Sequence, residues 1–127
     1  MKLLIVDDSL LMRKAIERAL AGKNFTVVGS AADGEAALRM FSESVPDLVT
    51  LDISMPKMDG LTCLEEMLKI NPAAKILMIS SQTDSVTASE IMQKGAAGIV
   101  GKPFSSAQIQ DKVDEILGVC CGSAQNP

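Results

Sequence analysis

Short apolar runs and helix-spaced apolar stripes alternate five times along this chain. The first run, Lys2-Leu3-Leu4-Ile5-Val6-Asp7, has the length of one buried strand and ends in acids. Ser9 can cap a helix with apolar positions Leu11, Met12, Ala15, Ile16, Ala19 and Leu20, and Gly22 can terminate it. Phe25-Thr26-Val27-Val28-Gly29-Ser30 is rich in β-formers. Asp33 caps a second helix carrying Ala36, Ala37, Met40 and Phe41. The run Asp47-Leu48-Val49-Thr50-Leu51-Asp52 follows Pro46. Gly60 precedes a third helix with Leu61, Leu64, Met67 and Leu68 on one face, and Asn71-Pro72 ends it. Lys75-Ile76-Leu77-Met78-Ile79 is the fourth strand and runs into Ser80-Ser81. A helix from about Ser85 to Lys94 closes at Gly95. Ala97-Gly98-Ile99-Val100-Gly101 has two glycines that lower its strand propensity, so its assignment rests on its place in the alternation. The last helix spans about Ser106 to Leu117, with Ile109, Val113, Ile116 and Leu117 inward. Residues 1–118 are expected to form one domain, and residues 119–127 a flexible tail that frays.

Strands alternating with helices of this length imply right-handed crossovers and a parallel sheet covered on both faces. The near-continuous apolar strands agree with burial on both sides. The economical solution is an α/β, flavodoxin-like, doubly wound five-stranded parallel sheet of order 2-1-3-4-5 with five helices. In such a sheet the first and third strands flank the switch point, outside whose carboxyl ends ligands bind. Asp7, Asp8 and Asp52 end those two strands, and Lys102 follows the fifth.

That convergence changes the picture from fold to chemistry. Two like charges about 4 Å apart repel by about 4 kcal/mol at an effective dielectric near 20, so three carboxylates at one edge call for a cation. Singly, each acid reads as a solvated turn and Lys102 as a surface lysine; the joint pattern reverses those readings. Composition narrows the remaining choices. The chain has no His, which excludes histidine general bases and histidine-ligated metals. Its formal charge is −4 with no basic stretch, which argues against nucleic-acid binding by this chain alone. There is no Trp or Tyr, and only three Phe, so the core must be aliphatic. Met12, Met40, Met67, Met78 and Met92 are expected to serve as packing, and Met55 and Met58 to pack beneath the loop after Asp52. No run is long enough to insert in a membrane or resembles a signal peptide. Cys63, Cys120 and Cys121 offer no Cys-x-x-Cys spacing and fit reduced thiols in the cytoplasm.

The ordered set Asp7-Asp8, Asp52 with Met55-Pro56 and Met58-Asp59-Gly60, Ser80, and Lys102-Pro103-Phe104 resembles the receiver domain of two-component response regulators. The resemblance covers Lys2 to about Leu117 and is closest to single-domain, chemotaxis-type members. It implies that Asp52 is the phospho-acceptor, loaded by a histidine kinase. It implies a Mg²⁺ ion held by Asp8, Asp52 and the backbone carbonyl of Ser54, with Asp7 acting mainly through water. Lys102 is implied to contact a phosphoryl oxygen from a cis Lys102–Pro103 junction, and Ser80 to be the switch hydroxyl. The readout face is implied to be the fourth helix, fifth strand and fifth helix, meeting a downstream effector. The domain would catalyse only its own phosphorylation and dephosphorylation. One position departs from the family. An aromatic residue often stands three before the lysine, and here it is Ile99, whose stiff χ1 and lack of a ring put the aromatic half of the switch in doubt. Ser54 and Gln82 occupy positions that, in the family it resembles, influence how fast the acyl phosphate hydrolyses.

Three other readings compete. The alternative to a single-domain member is the receiver part of a longer response regulator whose output domain is missing. An aspartyl-phosphate-forming phosphatase would want Asp-x-Asp at the nucleophile, but Ser54 stands two after Asp52. A flavodoxin-like cofactor module would want a Ser/Thr/Gly-rich phosphate loop where Asp7-Asp8-Ser9 stands.

Overall fold

The computed structural model describes residues 1–53, 55, 58–81 and 88–118. Its elements run β1 (Lys2–Val6), α1 (Leu10–Ala19), β2 (Thr26–Ala31), α2 (Gly34–Ser44), β3 (Leu48–Asp52), α3 (Gly60–Ile70), β4 (Lys75–Ser80), α4 (Ala88–Gln93), β5 (Gly98–Gly101) and α5 (Ser106–Leu117). The five strands form one sheet of order β2-β1-β3-β4-β5, and every neighbouring pair is parallel. The start of the fourth helix expected at Ser85 and the tail at 119–127 lie outside the described residues, as do Ser54, Gln82, Cys120 and Cys121.

Strand alternation divides the apolar residues between the two faces of the sheet. Leu4, Val6, Val49, Leu51, Ile76 and Met78 join Ala37, Phe41, Cys63, Leu64 and Met67 in one core under α2 and α3. Leu3, Ile5, Leu48, Leu77, Ile79 and Val100 join Ile16, Ala19, Leu20, Ile109 and Val113 in the other, under α1 and α5. Each central strand is therefore buried on both sides, which is why it reads as an unbroken apolar run rather than an alternation. Met55 and Met58 pack against the first core, as expected.

Helix starts follow the capping chemistry. Side chains of Ser9, Asp33 and Asp59 accept from the N–H groups of Met12, Ala36 and Thr62, and Ser105 forms a reciprocal capping box with Gln108. The Lys102–Pro103 peptide bond is cis. Three expectations need correction. Leu11 is 83% exposed, because it lies off the stripe formed by Ile16, Ala19 and Leu20 that faces the second core. Met92 is exposed, since within α4 only Ile91 is buried. Phe25 precedes the second strand rather than opening it, and packs against the second core.

Two long-range contacts tie α1 and the turn after it to α5. Lys23 Nζ lies 2.8 Å from Asp114 Oδ2, and Gln110 Nε2 donates to Ala19 O at 2.6 Å. The end of α2 carries strain. Val45 caps it with φ 46°, a left-handed conformation that a β-branched residue adopts at a cost of roughly 1–2 kcal/mol. Val45 is exposed, so its side chain returns little packing energy. Val45→Asn, which tolerates this conformation, should stabilise the domain by about 1 kcal/mol in urea unfolding; an unchanged or lower midpoint would show that Val45 is not strained.

Candidate functional site

The site lies at the carboxyl edge of the sheet, where three strand ends deliver their acids and amine. β1 pairs with β3 in register Val6↔Leu51, so the residues that follow, Asp7 and Asp52, stand side by side at the edge of the sheet. Asp7 N donates to Ala31 O at 3.0 Å, extending the β1–β2 pairing through the acid. Ser9 N donates to Asp7 Oδ1 at 2.9 Å, and Arg13 Nη1 donates to Asp7 O at 2.6 Å. Asp7 is fully buried and Asp52 nearly so, while Asp8 faces solvent. One carboxylate oxygen from each of Asp7, Asp8 and Asp52 lies within 4.8 Å of the other two, a spacing compatible with one cation.

Lys102 supplies the opposing charge. Its backbone N–H donates to Ser80 O at 2.6 Å, which ties the end of β5 to the end of β4. Its Nζ stands 3.3 Å from Asp52 Oδ1 and 3.3 Å from Asp7 Oδ2. The contact with Asp52 is a hydrogen bond, whereas Asp7 Oδ2 faces the ammonium as an ion pair without hydrogen-bond geometry. Burial works to lower the Lys102 pKa, but the charges of Asp52 and Asp7 together outweigh it. The ammonium is held above its ordinary 10.5.

Ser80 is half-buried at the end of β4, and its Oγ donates to Ser81 O at 3.3 Å. Ser80, Ser81, Ile99, Gly101, Lys102, Pro103 and Gln108 line a groove of about 570 Å³ beside the acid edge. Ile99 contributes to that groove and to the first core at once. Thus Asp7, Asp8, Asp52, Lys102 and Ser80 gather at one edge, while Ser54 lies outside the described residues. Cys63 is no rival nucleophile. Burial, then the negative charges of Asp59 and Glu66, push its thiol up to about 12.

Sequence reasoning passed over Arg13. Its only local signal is a basic residue on the helix that follows the acid pair, six positions after Asp7. It also passed over the approach of Gly60 to β3, where Gly60 N donates to Ile53 O at 2.7 Å.

The profile of the response regulator receiver domain matches residues 3–114. Among curated relatives, the chemotaxis protein CheY of Listeria monocytogenes is 36% identical over 91% of this chain and 97% of its own length. The chemotaxis protein CheY of Bacillus subtilis is 37% identical over 91% of this chain and 97% of its own length. A longer relative, a protein-glutamate methylesterase/protein-glutamine glutaminase of Syntrophomonas wolfei, is 38% identical over 98% of this chain, which spans 37% of it. Among solved structures, a chain of the CheX-CheY-BeF3-Mg complex from Borrelia burgdorferi superposes with a TM-score of 0.87 at 34% identity, covering 92% of this chain and 89% of that one. The chain belongs to the response regulator receiver domain family and is a phospho-accepting signalling switch.

Proposed function

We propose that a histidine kinase loads Asp52 with a phosphoryl group, and that the loaded domain presents an altered α4–β5–α5 face to a downstream protein in a cytoplasmic chemotaxis pathway. The observation that carries this reading is the meeting of three carboxylates and one ammonium at the carboxyl edge of β1, β3 and β5. An Asp52 carboxylate oxygen attacks phosphorus in the donor's phosphohistidine. A P–O bond forms as the P–N bond breaks, and the electron pair leaves on the imidazole. The transfer needs positioning and charge stabilisation more than further reacting groups. The exposed Leu10 and Leu11 stand just beyond Asp8 and Ser9, and offer an apolar contact to a protein donor approaching that edge.

The donor set fits a hard divalent ion. Its oxygens are all carboxylates, they lie within 4.8 Å of one another, and one belongs to the exposed Asp8, which leaves room for retained water. Asp8 and Asp52, with the Ser54 carbonyl, would hold Mg²⁺, and Asp7 would reach it through water. When bound, the ion supplies charge neutralisation to the carboxylates and the phosphoryl oxygens. Lys102 stands 3.3 Å from both Asp7 and Asp52, and a small rotation of its flexible stem would turn the ammonium to a phosphoryl oxygen on Asp52. Ser80 Oγ would exchange Ser81 O for a phosphoryl oxygen. Because Ser80 O accepts from Lys102 N, that movement would be felt at the start of the β5–α5 loop. A contact made only in the loaded state is what shifts a population toward it. Ile99 has no ring to swing, so the coupling would run through this backbone link. The CheX partner in the Borrelia complex and the chemotaxis names of the relatives support the proposed output.

Asp52→Asn should fold and show no hydroxylamine-sensitive phosphoryl label above background. Labelling at the wild-type level would move the nucleophile elsewhere. Lys102→Ala should retain Mg²⁺ binding, because a competing cation is gone, while the shift of the Ser80 amide on phosphorylation fades; an undiminished shift would remove the role of the ammonium. The raised Lys102 pKa fixes the sign of a pH effect. Its contribution to stability is fully present below the unfolded value near 10.5 and is lost as pH rises through the higher folded value. Wild type should therefore exceed Lys102→Met in urea stability at pH 7, and the gap should narrow at pH 11. A gap that stays constant, or widens with pH, would contradict the ion pairs.

A further inference from the structure

The turn that carries the acid edge is closed at a point no reacting atom touches. Gly60 opens α3, donates its N–H to Ile53 O at 2.7 Å and lies against the end of β3. A Cβ placed on Gly60 would stand 2.5 Å from Ile53 Cα and nearer still to Asp52 O. Non-bonded carbons settle at about 3.5–4.0 Å, so one of the two backbones would have to move by about 1 Å. Gly60 has no positive φ, so its conformation admits any residue and only the lack of space excludes a side chain.

The other tight glycines meet something softer. A Cβ at Gly29 would meet Met40 Sδ at 2.9 Å and Leu4 Cδ1 at 3.1 Å. A Cβ at Gly34 would meet Met58 Cβ at 2.7 Å. Those neighbours are side-chain atoms rather than backbone, and Met40 Sδ and Leu4 Cδ1 can turn aside. Asp52 has less freedom. It pairs with Ile79 in β4, and Ile53 N donates to Ile79 O at 3.1 Å, so the strand is held on the far side as well. Displacement at Gly60 would fall on the Asp52–Ile53 peptide, directly beneath the carboxylate that meets Asp7, Asp8 and Lys102.

We infer that Gly60 is a positioning residue for the acid site: its bare Cα lets the start of α3 seat against the Asp52–Ile53 peptide and sets where the Asp52 carboxylate stands. The inference rests on the reading of Asp52 as phospho-acceptor. A hard ion such as Mg²⁺ demands near-ideal ligand positions, and a misplacement of about 1 Å costs about 100-fold in the rate of a positioned reaction.

The test compares Gly60→Ala with Gly29→Ala in the full 127-residue chain. Three quantities are measured: urea stability, the Mg²⁺ dissociation constant from amide shifts, and the rate of labelling by a small phosphodonor at saturating Mg²⁺. Both variants should lose stability. Only Gly60→Ala should weaken Mg²⁺ binding, about tenfold, and slow labelling, about 100-fold. Equal Mg²⁺ affinity and labelling in the two variants would overturn the inference. Should Gly60→Ala not fold, it is repeated with Val45→Asn added for stability; failure to fold there too would make Gly60 a folding residue and overturn the inference. A wild-type chain that neither binds Mg²⁺ nor accepts label would instead sink the phospho-acceptor reading on which the inference stands.

Discussion

Mutual repulsion among Asp7, Asp8 and Asp52 is the constraint around which the rest of the molecule is arranged. Their oxygens approach within 4.8 Å, and two of the three residues are buried, where water screens poorly. Such a cluster persists only if positive charge stands among it. Lys102 supplies one such charge, at 3.3 Å from both buried acids, and backbone donors and a guanidinium brace the loop that bears Asp7. One lysine does not neutralise three carboxylates, which leaves a net negative charge suited to a further cation.

The sheet exists, in functional terms, to hold those charges at fixed spacing. β1 and β3 are neighbours because the strand order reverses between them, and parallel pairing brings their carboxyl ends to the same edge. Burial on both faces removes slack from the strands, and the short links Asp7 N to Ala31 O and Lys102 N to Ser80 O extend the pairing to the site residues themselves. The same link between Lys102 and Ser80 ties the end of β5 to the end of β4, so the residues of the acid edge and those of the groove beside it are held on one backbone frame.

Much of this was legible in the residue pattern. Strands buried on both faces announce themselves as apolar runs, and Ser9 and Asp33 stand where caps are needed. The acid edge was legible because each acid directly follows such a run, so the strand order alone brings the acids together. What escaped was set by distance rather than by local pattern. Lys23 and Asp114 meet across 91 positions, and nothing near either residue announces the other. Arg13 looks like an ordinary helix-surface cation until α1 is seen to lean over Asp7. Leu11 fits the helical stripe yet stands in the open, because periodicity says which side a residue takes and not how far the sheet extends beneath it.

The most direct measurement is unfolding free energy as a function of free Mg²⁺, for wild type and for Asp8→Asn. A ligand that binds only the folded state adds RT ln(1 + [L]/Kd), or about 1.4 kcal/mol per decade once its concentration exceeds Kd. Wild-type stability should climb with that slope, and the Asp8→Asn curve should stay flat to much higher Mg²⁺. A wild-type curve that does not respond to the ion would contradict the claim that these three acids form a cation site.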